Sequence, residues 1–130
     1  MLTFLIMAGG KGERFPLSTK ERPKQLLKVF SDKSLIELTY ERILPMVDSA
    51  KQIFVSTNEL QVKALKEELK DIPEENIIIE PAFRDTASAI AYGSYIISKY
   101  YDNPTICVLA SDHLISDGDN FRNTIKIATD

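Results

Sequence analysis

A glycine-rich stretch near the amino terminus, followed by fixed positive charge, has the residue types that bind phosphate. It runs Met7-Ala-Gly-Gly-Lys-Gly-Glu-Arg-Phe-Pro-Leu-Ser18, directly after the apolar run Leu2–Ile6, and leads into Arg22-Pro-Lys-Gln25. Glycine permits positive φ and leaves room for a ligand against the main chain. Arg14 and Lys24 can add positive charge, and the proline before Lys24 restricts where that side chain starts. The combination predicts an anion site whose expected ligand is phosphate.

The charge of the chain also singles out this stretch. Residues 9–28 contain six Lys and Arg against two Glu, a local net charge of +4, whereas the whole chain of 130 residues carries −3. The remaining residues therefore sum to −7. A local cluster of positive charge on an otherwise acidic protein indicates a small anionic ligand. It argues against a nucleic-acid partner, because the chain has no stripe of basic and aromatic residues.

The glycine-rich stretch matches neither of two common nucleotide-binding fingerprints. It lacks the Gly-Lys-[Ser/Thr] ending of a P-loop, and Phe15 stands where a dinucleotide-binding turn has glycine. A glycine cluster alone also occurs in tight strand-to-helix turns, and Lys24 alone could be an ordinary surface lysine. The arginine and the Pro-Lys pair together favour phosphate binding over these alternatives.

Two acidic residues follow apolar runs and have their own candidate chemistry. Asp112 directly follows one run, where a carboxylate can hold Mg²⁺ beside phosphate oxygens; a turn cap is an equally good interpretation. Glu80 ends another run, and its two oxygens can accept hydrogen bonds from N1–H and the 2-amino group of guanine. The alternative for Glu80 is a solvent-facing strand end, paired with Arg84. His113, the only histidine, is interpreted as a structural hydrogen-bonding residue.

The elements that must position these residues alternate along the chain. Short apolar, β-branched runs predict strands at Leu2–Met7, Gln52–Ser56, Asn76–Glu80 and Thr105–Ala110. Strands that are buried on both faces have near-continuous apolar runs of this kind. We therefore expect an α/β fold, a three-layer sandwich with a mostly parallel sheet.

Helical periodicity lies between the runs and after the last one. A capping box, Ser34-Leu-Ile-Glu37, begins the first helix, Asn58 is expected to cap the second, and Asp85 or Thr86 begins the third. A fourth helix is expected over Asp119–Asp130. The residues predicted to face the sheet are Ile36, Tyr40, Ile43, Leu44 and Val47; Val62, Leu65 and Leu69; Ala87, Ile90, Ala91, Ser94 and Ile97; and Phe121, Ile125 and Ala128.

Four polar clusters follow the four predicted strands. They are Gly9–Arg14, Thr57-Asn58, Glu80–Thr86 and Ser111-Asp112-His113. Because ligands of parallel α/β sheets bind at the carboxyl ends of the strands, we expect these clusters to form one site.

The cysteine count, the length of the first apolar run and the last predicted helix bear on the cellular compartment and on the extent of the chain. The single cysteine, Cys107, excludes an intrachain disulfide, and Leu2–Met7 is too short to span a membrane and lacks the features of a signal peptide. We expect a cytoplasmic protein without a membrane partner. A helix over Asp119–Asp130 with no strand after it leads us to expect the amino-terminal part of a longer protein.

Taken together, the clusters resemble the bacterial mannose-1-phosphate guanylyltransferases, within the sugar-nucleotide nucleotidyltransferase superfamily. The resemblance covers nearly the whole chain. It rests on Ala8-Gly-Gly-Lys-Gly12 with Arg14 and Pro16-Leu-Ser18; Pro23-Lys-Gln25; Glu80-Pro81 with Arg84 and Thr86-Ala87; and Ser111-Asp-His113. The first two motifs mark the superfamily, and the last two mark the mannose-1-phosphate branch.

The resemblance implies a Rossmann-like nucleotidyltransferase fold and a reaction. GMP would pass from GTP to mannose 1-phosphate by in-line attack on the α-phosphate, with Mg²⁺ as cofactor and pyrophosphate as the second product. Residues 1–130 would be the nucleotide-binding part of the catalytic domain, inactive without the remainder. The alternatives are another NTP or another sugar 1-phosphate, and a non-catalytic nucleotide-binding regulatory domain. A homo-oligomer is compatible with the sequence.

The resemblance also implies a role for individual residues. Gly12 and Arg14 would hold the triphosphate, Lys24 would neutralise charge at the α-phosphate, and Asp112 would be one of two Mg²⁺-binding carboxylates. Arg14 and Lys24 are thus the implied catalytic residues. The residues implied to bind the nucleoside are Ala8, Gly9, Gly10, Glu80, Pro81, Thr86 and Ala87.

The chain departs from the family's pattern in three places. Arg14-Phe15-Pro16 is one residue shorter than the usual arginine, leucine, tryptophan and proline, and Glu13 stands where threonine is common. Asp85 replaces the usual asparagine, and a carboxylate cannot donate the hydrogen bonds of an amide.

Overall fold

Strands and helices alternate along the part of the chain that the structure describes. The structure is a computed structural model and describes residues 1–9, 34–80, 86–111 and 117–130. Its elements are β1 (Leu2–Met7), α1 (Leu35–Ile43), β2 (Ile53–Thr57), α2 (Val62–Glu68), β3 (Ile77–Ile79), α3 (Thr86–Tyr100), β4 (Thr105–Ala110) and α4 (Gly118–Thr129). Short 3-10 turns occupy Leu44–Met46, Ala50–Gln52 and Glu74–Asn76.

The strands form one parallel sheet with the order β3-β2-β1-β4. In the centre of this sheet, Ile6 of β1 lies opposite Val55 of β2 on one side and Leu109 of β4 on the other. On the far side of β2, Val55 lies opposite Ile77 of β3. The prediction of a mostly parallel α/β sheet is confirmed.

Two apolar clusters, one on each face of the sheet, make the fold three-layered. On one face, Phe4 and Ile6 of β1 pack with buried residues of three helices, Ile36 of α1, Leu65 of α2 and Ile125 of α4. The other face packs against α3. That second cluster consists of Leu5, Phe54, Ile78 and Ile97, flanked by the half-buried Met7, Ile96, Tyr101 and Ile106.

Helix α1 begins as its sequence predicts. The Ser34 hydroxyl accepts a hydrogen bond from the backbone N–H of Glu37, and the Glu37 carboxylate accepts one from the backbone N–H of Ser34. Both halves of the capping box are therefore present. The helix ends at Ile43, where Pro45 follows in a 3-10 turn, as expected of a residue that lacks the N–H to continue a helix.

The predicted sheet-facing side of α3 is partly wrong. Ile97 is buried as expected, but Ala87 and Ala91 are exposed, and the other buried residues are Ala89 and Gly93. The reason is a close helix–strand approach: a Cβ built on Gly93 would lie 2.7 Å from Cδ2 of Leu5. Glycine permits this close packing without being an apolar residue. The spacing of apolar residues therefore predicts a neighbouring side of the helix as the buried one.

Three further expectations about burial fail at the edges of the fold. Leu44, predicted to face the sheet, is 38% exposed just after the end of α1. Strand β4 is not buried on both faces, since Val108 is 38% exposed where β4 has no neighbour beyond β1 among the described residues. In α4, Ile125 is buried and Phe121 packs against the core, but Ala128 is exposed.

None of the helices in the described ranges combines the length and apolarity that crossing a membrane requires.

Candidate functional site

The carboxyl ends of β1, β2 and β3 meet at one edge of the sheet and continue to pair beyond the strands themselves. The backbone N–H of Ala8 donates to the carbonyl of Ser56 at 2.7 Å. On the other side of β2, the N–H of Glu80 donates to the carbonyl of Thr57 at 2.8 Å. Three segments that are far apart in sequence therefore lie side by side, as the sequence predicts for one site.

Side chains hold the backbone that enters the glycine-rich stretch. Three successive carbonyls at the end of β1 each accept a hydrogen bond from a neighbouring segment. Ser111 Oγ donates to Met7 O (2.8 Å), Thr57 Oγ1 to Ala8 O (3.3 Å) and Asn58 Nδ2 to Gly9 O (2.8 Å). Each bond of this kind contributes about 0.5–1.5 kcal/mol net. The chain is thus fixed from both sides as far as Gly9.

Asn58 has a different role from the one predicted. The cap residue of α2 is Gln61, while Asn58 Oδ1 accepts hydrogen bonds from the N–H groups of Leu60 (3.0 Å) and Gln61 (3.1 Å) in the turn before the helix. Its amide nitrogen donates to the carbonyl of Gly9. Both the oxygen and the nitrogen of this 4% exposed side-chain amide are therefore hydrogen-bonded. Sequence reasoning missed this contact, although a buried asparagine at a strand end is itself a signal, since a buried amide needs partners for both ends.

Glu80 is buried against Gly9. Its side chain is 8% exposed, and the Ser56 hydroxyl donates to Glu80 Oε1 at 3.2 Å. A Cβ built on Gly9 would lie 2.7 Å from Glu80 Oε2. The solvent exposure expected in the alternative interpretation is therefore wrong, whereas its pairing partner, Arg84, lies outside the described residues. The carboxylate lies directly beside the start of the glycine-rich stretch.

In the part of the chain that the structure describes, few groups donate to this carboxylate. Within the described ranges, the Ser56 hydroxyl is the one protein group that donates to it, through Oε1. Burying a carboxylate is costly unless its oxygens accept hydrogen bonds, and each oxygen can accept two. Among the described residues, Oε2 and the second lone pair of Oε1 thus have no donor.

The remaining predicted site residues divide into two groups. Thr86 and Ala87 are exposed at the amino end of α3, the helix that covers the same sheet face as Glu80. The others lie outside the described residues: Gly10, Gly12, Arg14, Lys24, Pro81 and Asp112. In the described part of the chain, no group of three or more His, Cys, Asp and Glu side chains could hold a metal ion.

A separate groove of about 500 Å³ lies between α1 and α2. Its lining carries five carboxylates and one lysine, together with three apolar or aromatic residues: Glu37, Glu41, Glu67, Glu68 and Asp71; Lys70; and Tyr40, Leu44 and Leu69. Such a surface repels phosphate. The charge of this groove therefore disfavours it as the anion site expected from the sequence.

Comparison with known proteins decides the family. The profile described as nucleotidyl transferase matches residues 3–130, nearly the full chain. The chain belongs to the nucleotidyl transferase family. It is 35% identical over 131 residues to a mannose-1-phosphate guanylyltransferase from Escherichia coli, in a match that covers 98% of the chain and 27% of that relative. The chain thus spans about a quarter of the length of this relative.

Solved structures agree with this family assignment. The crystal structure of mannose-1-phosphate geranyltransferase from Thermus thermophilus matches with a TM-score of 0.81 and 31% identity, covering 97% of the chain and 36% of that protein. The crystal structure of mannose-6-phosphate isomerase from Helicobacter pylori matches with a TM-score of 0.73 and 30% identity, covering 99% and 46% respectively. The Rossmann-like nucleotidyltransferase fold and the resemblance to mannose-1-phosphate guanylyltransferases are both confirmed.

Proposed function

We propose that this family member binds the guanosine part of GTP, and that the protein transfers GMP from GTP to mannose 1-phosphate, giving GDP-mannose and pyrophosphate. The observation that carries the proposal is the buried Glu80 carboxylate, which lies against Gly9 at the carboxyl edge of the sheet. The names of the similar guanylyltransferases support the choice of mannose 1-phosphate as acceptor.

The chemistry of the nucleobases explains why this carboxylate favours guanine. Guanine presents two adjacent donors, N1–H and the 2-amino group, to two acceptor oxygens, whereas adenine has an acceptor at N1 and no 2-amino group. A site built to accept hydrogen bonds discriminates strongly against a ligand without the matching donors, because its buried acceptor is then left unpaired.

The transfer itself depends more on the positioning of the two substrates and on charge compensation than on a nucleophilic side chain. In this proposal the sugar phosphate oxygen attacks the α-phosphate in line, while Arg14 and Lys24 neutralise the charge that develops on the phosphate oxygens. Asp112 is proposed as one of two carboxylate ligands of Mg²⁺, which would screen the triphosphate when bound. These three residues lie outside the described ones, so their roles are carried by the sequence motifs alone.

The test is calorimetric titration of the chain with GTP, ATP, UTP and dTTP in the presence of Mg²⁺, repeated on Glu80→Gln. Glutamine offers one carbonyl oxygen and an NH₂ group that would face a guanine donor. We therefore expect a GTP preference that falls roughly tenfold to a hundredfold in the variant, the range of one charge-assisted hydrogen bond. Glu75→Gln, at an exposed position, is the control. Equal binding of GTP and ATP by the unaltered chain would contradict the proposal.

A further inference from the structure

The Ser56 hydroxyl is buried between apolar neighbours and donates to a carboxylate. Ser56 is fully buried on β2, where it lies opposite Met7 of β1 and Ile78 of β3. Both neighbours are apolar, and a hydroxyl in such surroundings is costly unless it is hydrogen-bonded. Its partner is the Glu80 carboxylate, at 3.2 Å from Oε1.

Alternation along the strands places three residues together on the α3 face of the sheet. Glu80 is two residues beyond Ile78, and Gly9 is two residues beyond Met7, so both share the face of Ser56. The carboxylate lies between the Ser56 hydroxyl, which contacts Oε1, and the Cα of Gly9, where an added Cβ would be 2.7 Å from Oε2 and 3.5 Å from Cδ.

We propose that Ser56 is a positioning residue for base selection, whose hydroxyl orients the Glu80 carboxylate so that both oxygens face the nucleobase edge together. This inference rests on the proposed role of Glu80 in reading guanine. A glutamate side chain has several rotatable bonds, and orienting it before binding lowers the entropy lost when the base arrives. Among the described residues, the second lone pair of Oε1 has no donor, so the bond from Ser56 to that oxygen is compatible with a bond from guanine.

The prediction concerns the ratio of GTP affinity to ATP affinity. In Ser56→Ala the carboxylate loses its orienting donor, and we expect GTP to bind roughly tenfold more weakly, near the lower end of the range for one charge-assisted hydrogen bond. ATP binding should not change, because adenine makes no use of the carboxylate pair. Ser56→Thr retains a hydroxyl and should recover most of the GTP preference.

The matched control is Thr3→Val. Thr3 is as fully buried as Ser56, and its hydroxyl donates to the carbonyl of Thr105 at 3.0 Å at the other end of the same sheet. This variant removes a buried hydroxyl away from the site and should leave the GTP-to-ATP ratio unchanged. Ser56→Cys, which keeps the side-chain volume but donates only weakly, replaces Ser56→Ala if the alanine variant does not fold.

A double-mutant cycle separates this inference from the function on which it rests. If Ser56 acts through Glu80, then Ser56→Ala should have no further effect on the ratio in a Glu80→Gln background. If Glu80→Gln lowers the ratio but Ser56→Ala does not, or lowers GTP and ATP affinity alike, the positioning role is wrong and the proposed function stands. If Glu80→Gln leaves the ratio unchanged, the base-reading role of Glu80 is wrong, and this inference is wrong with it.

Discussion

At the residue scale, two glycines make close approaches that have different consequences. Beside Gly9 the neighbouring group is the end of a flexible glutamate side chain, whereas beside Gly93 it is a methyl group of the fully buried Leu5. An added methyl group meets an atom at 2.7 Å in both places. The first neighbour can move at the cost of its orientation, and the second cannot move without disturbing the core.

We therefore expect Gly9→Ala and Gly93→Ala to separate binding from stability. Gly9→Ala should displace the Glu80 carboxylate and weaken GTP binding roughly tenfold, with little change in the free energy of unfolding. Gly93→Ala should leave GTP binding intact but lower the free energy of unfolding by about 1 kcal/mol, since overpacking costs ~1–3 kcal/mol and the helix recovers part of this from alanine's higher propensity. Calorimetry and urea denaturation measure the two effects, and the reverse pattern would refute this assignment.

Asn58 offers a second test at a single side chain. Asn58→Asp keeps the oxygen that accepts from Leu60 and Gln61, but it replaces the donor to Gly9 O with a second acceptor. We expect α2 to remain folded by circular dichroism while GTP binding weakens about tenfold, because the entry to the glycine-rich stretch is released. Unchanged GTP binding would mean that this hydrogen bond does not position the stretch.

At the element scale, local sequence and long-range packing explain different parts of the fold. The bounds of β1 and β4 and the capping box of α1 could be predicted, because apolar runs and capping residues act over a few neighbouring positions. The buried stripe of α3 could not, because Gly93 packs closely against a strand without being apolar. The contact of Ser56 with Glu80 could not be predicted either, since it joins residues 24 positions apart through the register of β2 and β3.

The start of α1 gives a prediction at this scale. Ser34 is fully buried, and its hydroxyl satisfies the N–H of Glu37 at the first turn of a nine-residue helix. We expect Ser34→Ala to lower the free energy of unfolding by about 1–2 kcal/mol, the cost of losing a helix cap. Ser49→Ala, which removes an exposed cap residue from a three-residue 3-10 turn, should cost less in the same urea titration. Equal losses would show that the capping box of α1 adds little.

At the scale of the whole molecule, the parallel order of the sheet assembles the site. The four strands of the described residues all run in the same direction, so the ends of β1, β2 and β3 and the side chains that follow them lie along one edge. The sequence could predict that these strand ends lie together, because this depends only on strand direction. The orientation of Glu80 towards Gly9 depends on side-chain packing between strands, and only the structure shows it.

The most direct test of the central claim, that Glu80 accepts two hydrogen bonds from guanine, is the affinity of the chain for ITP relative to GTP and ATP. Inosine keeps N1–H but lacks the 2-amino group, so it tests one of the two bonds alone. We predict that ITP binds roughly tenfold more weakly than GTP and more tightly than ATP, and that the difference between GTP and ITP disappears in Glu80→Gln. Equal affinity for GTP and ITP in the unaltered chain would contradict the account.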